Sequence, residues 1–201
     1  MRDADNIRAV ETLGVDWMGF IFWPHSSRYV SQMPTYLPET CKRVGVFVDA
    51  TLEEIRDKVT DYRLDIIQLH GSESPAYIRQ LRRDCAEAKI IKAFNIKTAA
   101  DLTQAEAYED TVDFFLFDTK GKSVGGNGEQ FDWDVLRHYN GQTPFLLSGG
   151  IGPDDAVRIR DFHHPQLTGI DLNSRFETAP ALKDIQKLKA FLYEQNQQTV
   201  R

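Results

Sequence analysis

The sequence predicts an α/β chain folded as a (β/α)8 TIM barrel whose first strand is absent, and three observations carry that prediction. Short β-rich runs alternate with amphipathic stretches along the chain, the pattern of parallel strands joined by crossover helices. Two runs near the C-terminal end, LLSGGIG at 146–152 and GIDLNSRFE at 169–177, stop abruptly in glycine or small polar residues, which leaves backbone N–H groups to face an anion. In such a barrel the loops after strands seven and eight form a phosphate cradle, so the pair speaks for fold and ligand together. The length of 201 residues fits one domain, spanning 1–201, and lies at the lower edge of what eight βα units need.

Taken in order, the chain opens on a helix over 3–13, where Asp3 is the cap, Ile7, Val10 and Leu13 are spaced to bury one face, and Gly14 ends it. A strand follows at 17–22 (WMGFIF), then a helix over 34–41 and a strand at 43–48 (RVGVFV). Thr51 with Glu54 starts a helix over 52–62 ahead of the strand IIQLH at 66–70, and Ser74 with Pro75 starts one over 74–87 ahead of KIIKAFNI at 89–96. A helix over 98–108 leads to DFFLFD at 113–118, and one over 132–139 leads to PFLLSG at 144–149. Pro153 ahead of Asp154 starts a helix over 153–162, TGIDLN at 168–173 is the last strand, and a helix over 181–195 closes the chain before a frayed polar tail. Most strands are continuous apolar runs, as expected of strands covered on both faces. The count is seven strands and eight helices, beginning with a helix.

Hydrophobic residues at 41% and charged residues at 27% are ordinary for a globular protein. No apolar run approaches the roughly 18 residues of a membrane span, so no membrane is expected. With 24 basic against 30 acidic side chains the net charge is −6, which speaks against a nucleic-acid partner and requires an anionic ligand to be held by specific local donors. Cys41 and Cys85 have no metal-type spacing, and no secretory signal opens the chain, so buried thiols in a reducing cytoplasm are expected in place of a disulfide.

Functional residues of such a barrel belong at the carboxyl ends of strands or in the loops that follow. Arg28, in the loop WPHSSRYVS at 23–31, has the fork that recognises a carboxylate or phosphate, although residue type alone favours a solvated surface arginine. His70 ends its strand and could donate to a substrate, or simply be satisfied by a neighbour. Asp118 closes four apolar residues, and desolvation there favours the protonated, acid-competent form; the alternative is a cap of the following turn. The loop 119–133, with glycines at 121, 125, 126 and 128, reads as a lid over the mouth. The two glycine and asparagine–serine turns together are better explained by one shared phosphate than as plain connections. Lys92, His163 and His164 read as structural or solvated.

The segments QLHG at 68–71, LFDT at 116–119, the glycine-rich loop, LSGGI at 147–151 and DLNSRFE at 171–177, with GFIFWPHSSRYVS at 19–31, together resemble phosphoribosylanthranilate isomerase, in order over essentially the whole chain. The resemblance implies an Amadori rearrangement of N-(5-phosphoribosyl)anthranilate in tryptophan biosynthesis, with neither metal nor organic cofactor. It makes Asp118 the general acid that opens the ribose ring, and Arg28 the holder of the anthranilate carboxylate, against the expectation from residue type. Gly149, Gly150, Asn173 and Ser174 become the phosphate turns, while His70 and Asp171 line the site. Asn173 and Arg175 stand where many members carry Ser and Gly. Other phosphate-binding barrels fit less well: a pentose-phosphate epimerase needs several metal ligands at strand ends, and indole-glycerol-phosphate synthase needs a lysine pair with a glutamate. A non-catalytic phosphate-binding remnant is the remaining class.

Members of that family open on a strand ending in K-x-C-G-M-R whose cysteine is the general base, and Met1 and Arg2 align with its last two letters. Cys41 and Cys85 fall on expected outer helices and cannot replace that base. The residues given are therefore expected to bind phosphoribosyl compounds weakly with negligible turnover, and to self-associate through the uncovered edges of the strands at 17–22 and 168–173. Normal turnover of phosphoribosylanthranilate by the 201-residue protein would refute the first expectation. A clean monomer with cooperative unfolding would count against the second.

Overall fold

The computed structural model describes residues 1–119 and 132–196. Seven parallel strands make a curled sheet in chain order: β1 (Trp17–Ile21), β2 (Lys42–Phe47), β3 (Ile66–Leu69), β4 (Lys89–Ile96), β5 (Phe114–Thr119), β6 (Phe145–Ser148) and β7 (Leu167–Ile170). Six of the seven lie within one residue of the runs expected from sequence, and β7 ends three residues before the expected 173. β1 and β7 are the two edges, and among the described residues no backbone pairing joins them, so the barrel is open there. On the β1 edge the Met1 amino group donates to the carbonyl of Gly19 at 2.6 Å.

β3 to β6 are covered on both faces, which is why their sequences read as nearly unbroken apolar runs. Val44, Ile66, Ile91, Ala93, Leu116 and Leu146 fill the inside of the barrel. Their neighbours one residue along, among them Ile67, Leu69, Ile90, Phe94, Phe115, Phe117 and Phe145, point outward into a second layer under the helices. Phe94, Phe115, Phe117, Phe145 and Tyr139 form a chain of edge-to-face and tilted contacts there, with centroids 5.0–6.5 Å apart.

Three α-helices form where their caps predict: α1 (Ala4–Glu11) from Asp3, α2 (Leu52–Tyr62) from the reciprocal Thr51–Glu54 box, and α3 (Pro75–Asp84) from Ser74. α4 (Ala156–Asp161) follows a 3-10 turn at Pro153–Asp155, and α5 (Ile185–Asn196) closes the described chain. No helix among the described residues is long and apolar enough to cross a membrane.

Four expectations need correction. The segment 34–41 is not a helix. Pro38 lacks the N–H a helix interior needs, and the Glu11 carboxylate instead binds the segment through Tyr36 Oη and the N–H groups of Glu39 and Thr40 at 2.5–2.6 Å. Ala99–Tyr108 and Trp133–His138 are 3-10 and not α-helical; their buried residues, Leu102 with Ala105 and Trp133 with Leu136, are three apart, which is the repeat that a 3-10 helix stacks on one face. The last helix starts at Ile185 and not at 181, because a short antiparallel hairpin, β8 (Glu177–Ala179) with β9 (Leu182–Lys183), precedes it. Asn6 holds that hairpin by donating to the Lys183 carbonyl and accepting from its N–H, at 2.8 and 2.7 Å.

Burial pushes the Glu11 carboxyl up, but the hydrogen bonds from Tyr36, Thr40 and Glu39 outweigh it and bring its pKa down to about 2. A carboxylate depressed in the folded state contributes stability above its unfolded pKa and loses it as pH falls through the folded one. Urea titrations of Glu11→Gln and the unaltered chain are therefore expected to differ at pH 6 and to converge as pH falls towards about 2. A difference that does not change with pH would show that the charge of Glu11 is not what holds the segment.

Candidate active site

Period-two alternation decides which side chains reach the barrel mouth. His70 follows Ile66 and Gln68 on the inner face, Asp118 follows Phe114 and Leu116, Ser148 follows Leu146, and Asp171 follows Gly169. The strand ends stay level because Asn95 pairs with Asp118 and Asp118 with Ser148, while the Asp171 N–H donates to Leu147 O at 2.8 Å. They open onto a cavity of about 1210 Å³, and all eight residues singled out from sequence line it: Arg28, His70, Asp118, Gly149, Gly150, Asp171, Asn173 and Ser174.

Asp118 is largely buried, with its side chain 13% exposed, and its Oδ2 lies 3.7 Å from His70 Nε2. Gln68 Nε2 sits 3.3 Å from the other ring nitrogen of His70, so the imidazole lies between an amide and a carboxyl group. Ser148, which sequence reasoning passed over inside LSGGI, donates its hydroxyl to Asp171 Oδ2 at 2.9 Å and so fixes that carboxylate. Its inward parity at the end of β6 was the available signal.

The turn after β6 takes its shape from Gly149 and Gly150, at φ +96° and +67°, where a side chain would be strained. No atom stands within 4 Å of the Cβ position of Gly150, so this backbone is open to close approach by a ligand. The next glycine differs: the Gly152 N–H is taken by Asp155 Oδ2 at 2.8 Å. Ser174 opens the second turn, Ser174–Phe176. Asn173 accepts from Lys183 Nζ through both its carbonyl and Oδ1, at 3.1 and 2.8 Å, which leaves the amide Nδ2 as the donor it can offer an anion.

Arg28 is held more firmly than a loop arginine suggests. Its Nε lies 3.0 and 2.9 Å from the two Glu177 oxygens and Nη2 lies 2.6 Å from Oε2, so one edge of the fork is engaged and Nη1 remains for a ligand. Lys183 Nζ, 3.4 Å from Glu177 Oε1, is a second cation in the same cluster. Burial lowers its pKa, against the pull of Glu177 and Asp171. Glu177 and Lys183 were missed because the sequence places the first after a turn motif and the second on an expected helix; only the β8–β9 hairpin brings them to Arg28.

Cys41 lies in the loop before β2 and not on a helix, and Cys85 at the end of α3; neither lines the cavity. Burial pushes the Cys41 thiol up to about 11 and raises Cys85 as well, so neither is a ready base at neutral pH. Of the expected glycine-rich lid at 119–133, residues 120–131 lie outside the described residues.

Burial raises the Glu177 pKa, but Arg28 and Lys183, with the Ala181 N–H, bring it below the ordinary carboxylate range. The pair therefore stabilises the fold above that range and loses its contribution as pH falls through the lower folded value. Glu177→Ala is expected to cost about 3 kcal/mol at pH 7 by leaving two cations without their carboxylate, and progressively less as pH falls below the ordinary carboxylate range. A loss in denaturant titrations that stays constant as pH is lowered would contradict this.

Comparison with known proteins identifies the family. A family model described as N-(5'phosphoribosyl)anthranilate (PRA) isomerase matches residues 1–194. An N-(5'-phosphoribosyl)anthranilate isomerase of Phocaeicola vulgatus is 50% identical, over 98% of this chain and 95% of its own length. One of Parabacteroides distasonis is 48% identical, over 96% and 90%. The crystal structure of the phosphoribosyl anthranilate isomerase of Thermotoga maritima superposes with a TM-score of 0.78 at 30% identity, covering 97% of this chain and 98% of that one. A structure of such an isomerase in complex with reduced 1-(o-carboxyphenylamino)-1-deoxyribulose 5-phosphate gives 0.77 at 29% identity over 97% and 98%. With the family model spanning nearly its whole length and relatives at half identity, this chain belongs to the N-(5'-phosphoribosyl)anthranilate isomerase family.

Proposed function

We propose that the reaction this single barrel domain serves in the cytoplasm is the isomerisation of N-(5-phosphoribosyl)anthranilate to 1-(o-carboxyphenylamino)-1-deoxyribulose 5-phosphate, the Amadori step of tryptophan biosynthesis. The observation that carries the assignment of roles is the buried carboxyl group of Asp118, at the end of β5, beside the left-handed Gly149–Gly150 turn at the end of β6. An acid and an anion-accepting backbone on adjacent strands suit a phosphorylated sugar whose ring must be opened.

In this reading the phosphate rests on the backbone of Gly149 and Gly150 and on Asn173 and Ser174, and Nη1 of Arg28 receives the anthranilate carboxylate. Asp118 gives its proton to the ribose ring oxygen as the C1–O bond breaks, and the anthranilate nitrogen supplies the electron pair that makes the iminium. His70 and Asp171 line the site around the opened chain. Loss of the C2 proton then gives the aminoenol, which ketonises to product; no residue among those described is assigned to that removal. The open edges of β1 and β7 leave room for association with a second chain.

The test is calorimetric binding of the reduced carboxyphenylamino-deoxyribulose phosphate. Gly150→Asp, which sets a carboxylate against the phosphate, is expected to weaken binding at least about 100-fold, and Arg28→Met about tenfold. Asp118→Asn is expected to keep affinity within about threefold while lowering the turnover the unaltered chain supports by about 10²- to 10⁴-fold. Undiminished binding by Gly150→Asp would sink the phosphate assignment.

A further inference from the structure

Behind the sheet, on the side away from the cavity, lies a buried ion pair that the reading above does not use. Lys92 and Glu73 have side chains 3% and 2% exposed, with Nζ and Oε2 3.2 Å apart. Lys92 sits between Ile91 and Ala93, which point into the barrel, so its own side chain leaves β4 on the outer face, against the rings of Phe94 and Tyr108. A buried ion pair seldom stabilises a fold more than an apolar pair of the same volume would, so its partners show its use better than its energy does.

Those partners bracket one residue. Lys92 Nζ donates to Gly71 O at 2.6 Å and reaches Leu69 O at 3.5 Å, the carbonyls on either side of His70. The Glu73 carboxylate accepts the N–H of Gly71 at 3.0 Å and that of Asp49 at 2.9 Å, tying the loop after β3 to the loop after β2. Asp49 Oδ1 in turn accepts from the N–H and hydroxyl of Ser72 at 2.7 and 2.9 Å, and the His70 N–H donates to Phe47 O at 2.8 Å. The loops approach so closely that a Cβ on Gly71 would lie 2.7 Å from the Asp49 nitrogen. We infer that Lys92 and Glu73 are positioning residues: from the far side of the sheet they fix the His70 peptide, and thereby aim the imidazole at Asp118 across the 3.7 Å gap.

The inference rests on the proposed site, and a double-mutant cycle on the full chain separates the two. Glu73→Gln combined with Lys92→Met removes both charges, so neither is left buried alone. This double variant is expected to bind the reduced analogue about tenfold more weakly, and adding it to His70→Gln is expected to cost little beyond His70→Gln alone. The ¹⁵N resonances of the His70 ring should move while those of His25, His138, His163 and His164 stay. Full additivity with His70→Gln, or unmoved His70 resonances, would overturn the positioning role. Wild-type binding by His70→Gln would overturn the site reading, and the inference with it. Should the double variant not fold, Glu73→Asp keeps the charge and withdraws it by one methylene; about threefold weaker binding with displaced His70 resonances is expected, and unmoved resonances overturn the role.

Discussion

The structure depends first on the in-register parallel ladder. Parallel pairing in chain order sends every strand from the same floor to the same rim, and the two-residue period of a strand then decides which side chain faces inward at that rim. Asn95, Asp118 and Ser148 lie side by side because β4, β5 and β6 are paired at those residues. A slip by one residue in β5 would turn Asp118 out under the helices and Phe117 into the cavity. The outer layer resists such a slip: Phe115, Phe117 and Phe145 are fully buried there, and they hold the register that the inner face uses.

Carboxylates join the loops to this ladder. Glu11 gathers the segment after β1 by accepting from Tyr36, Glu39 and Thr40. Glu73 gathers the loops after β2 and β3, and Glu177 gathers Arg28, Lys183 and the Ala181 N–H. Each takes the donors of a connection that has no regular hydrogen-bonding ladder of its own. One of the three, Glu177, lines the proposed ligand site, while Glu73 holds the loop after His70 from behind the sheet. The overall charge of −6 does not describe this region, where Arg28 and Lys183 cluster around Glu177.

Much of this was legible in the sequence. Alternating apolar runs and capped helices located the seven strands, and the filter of strand ends and following loops picked out residues that all line one cavity. What misled was local pattern without partners. The segment 34–41 has helical spacing, yet a carboxylate from another helix claims its N–H groups. Residues 99–108 are composed like an α-helix but bury only a narrow strip. Lys92 looked solvated or merely structural, because nothing in KIIKAFNI shows that its ammonium group will meet Leu69 O, Gly71 O and Glu73.

The sequence by itself determined the periodicities: which residues form strands, which of their faces carry Asp118 and His70, and where Gly149 and Gly150 let the chain turn through left-handed conformations. These are properties of residues a few positions apart, set by chain geometry and by the steric freedom of glycine. Tertiary structure alone decided the ionic contacts, Arg28 with Glu177, Asn173 with Lys183 and Lys92 with Glu73, of which the first spans 149 residues. A charged side chain carries no periodic signal of its partner. It finds one only when folding has removed the water that would otherwise satisfy it.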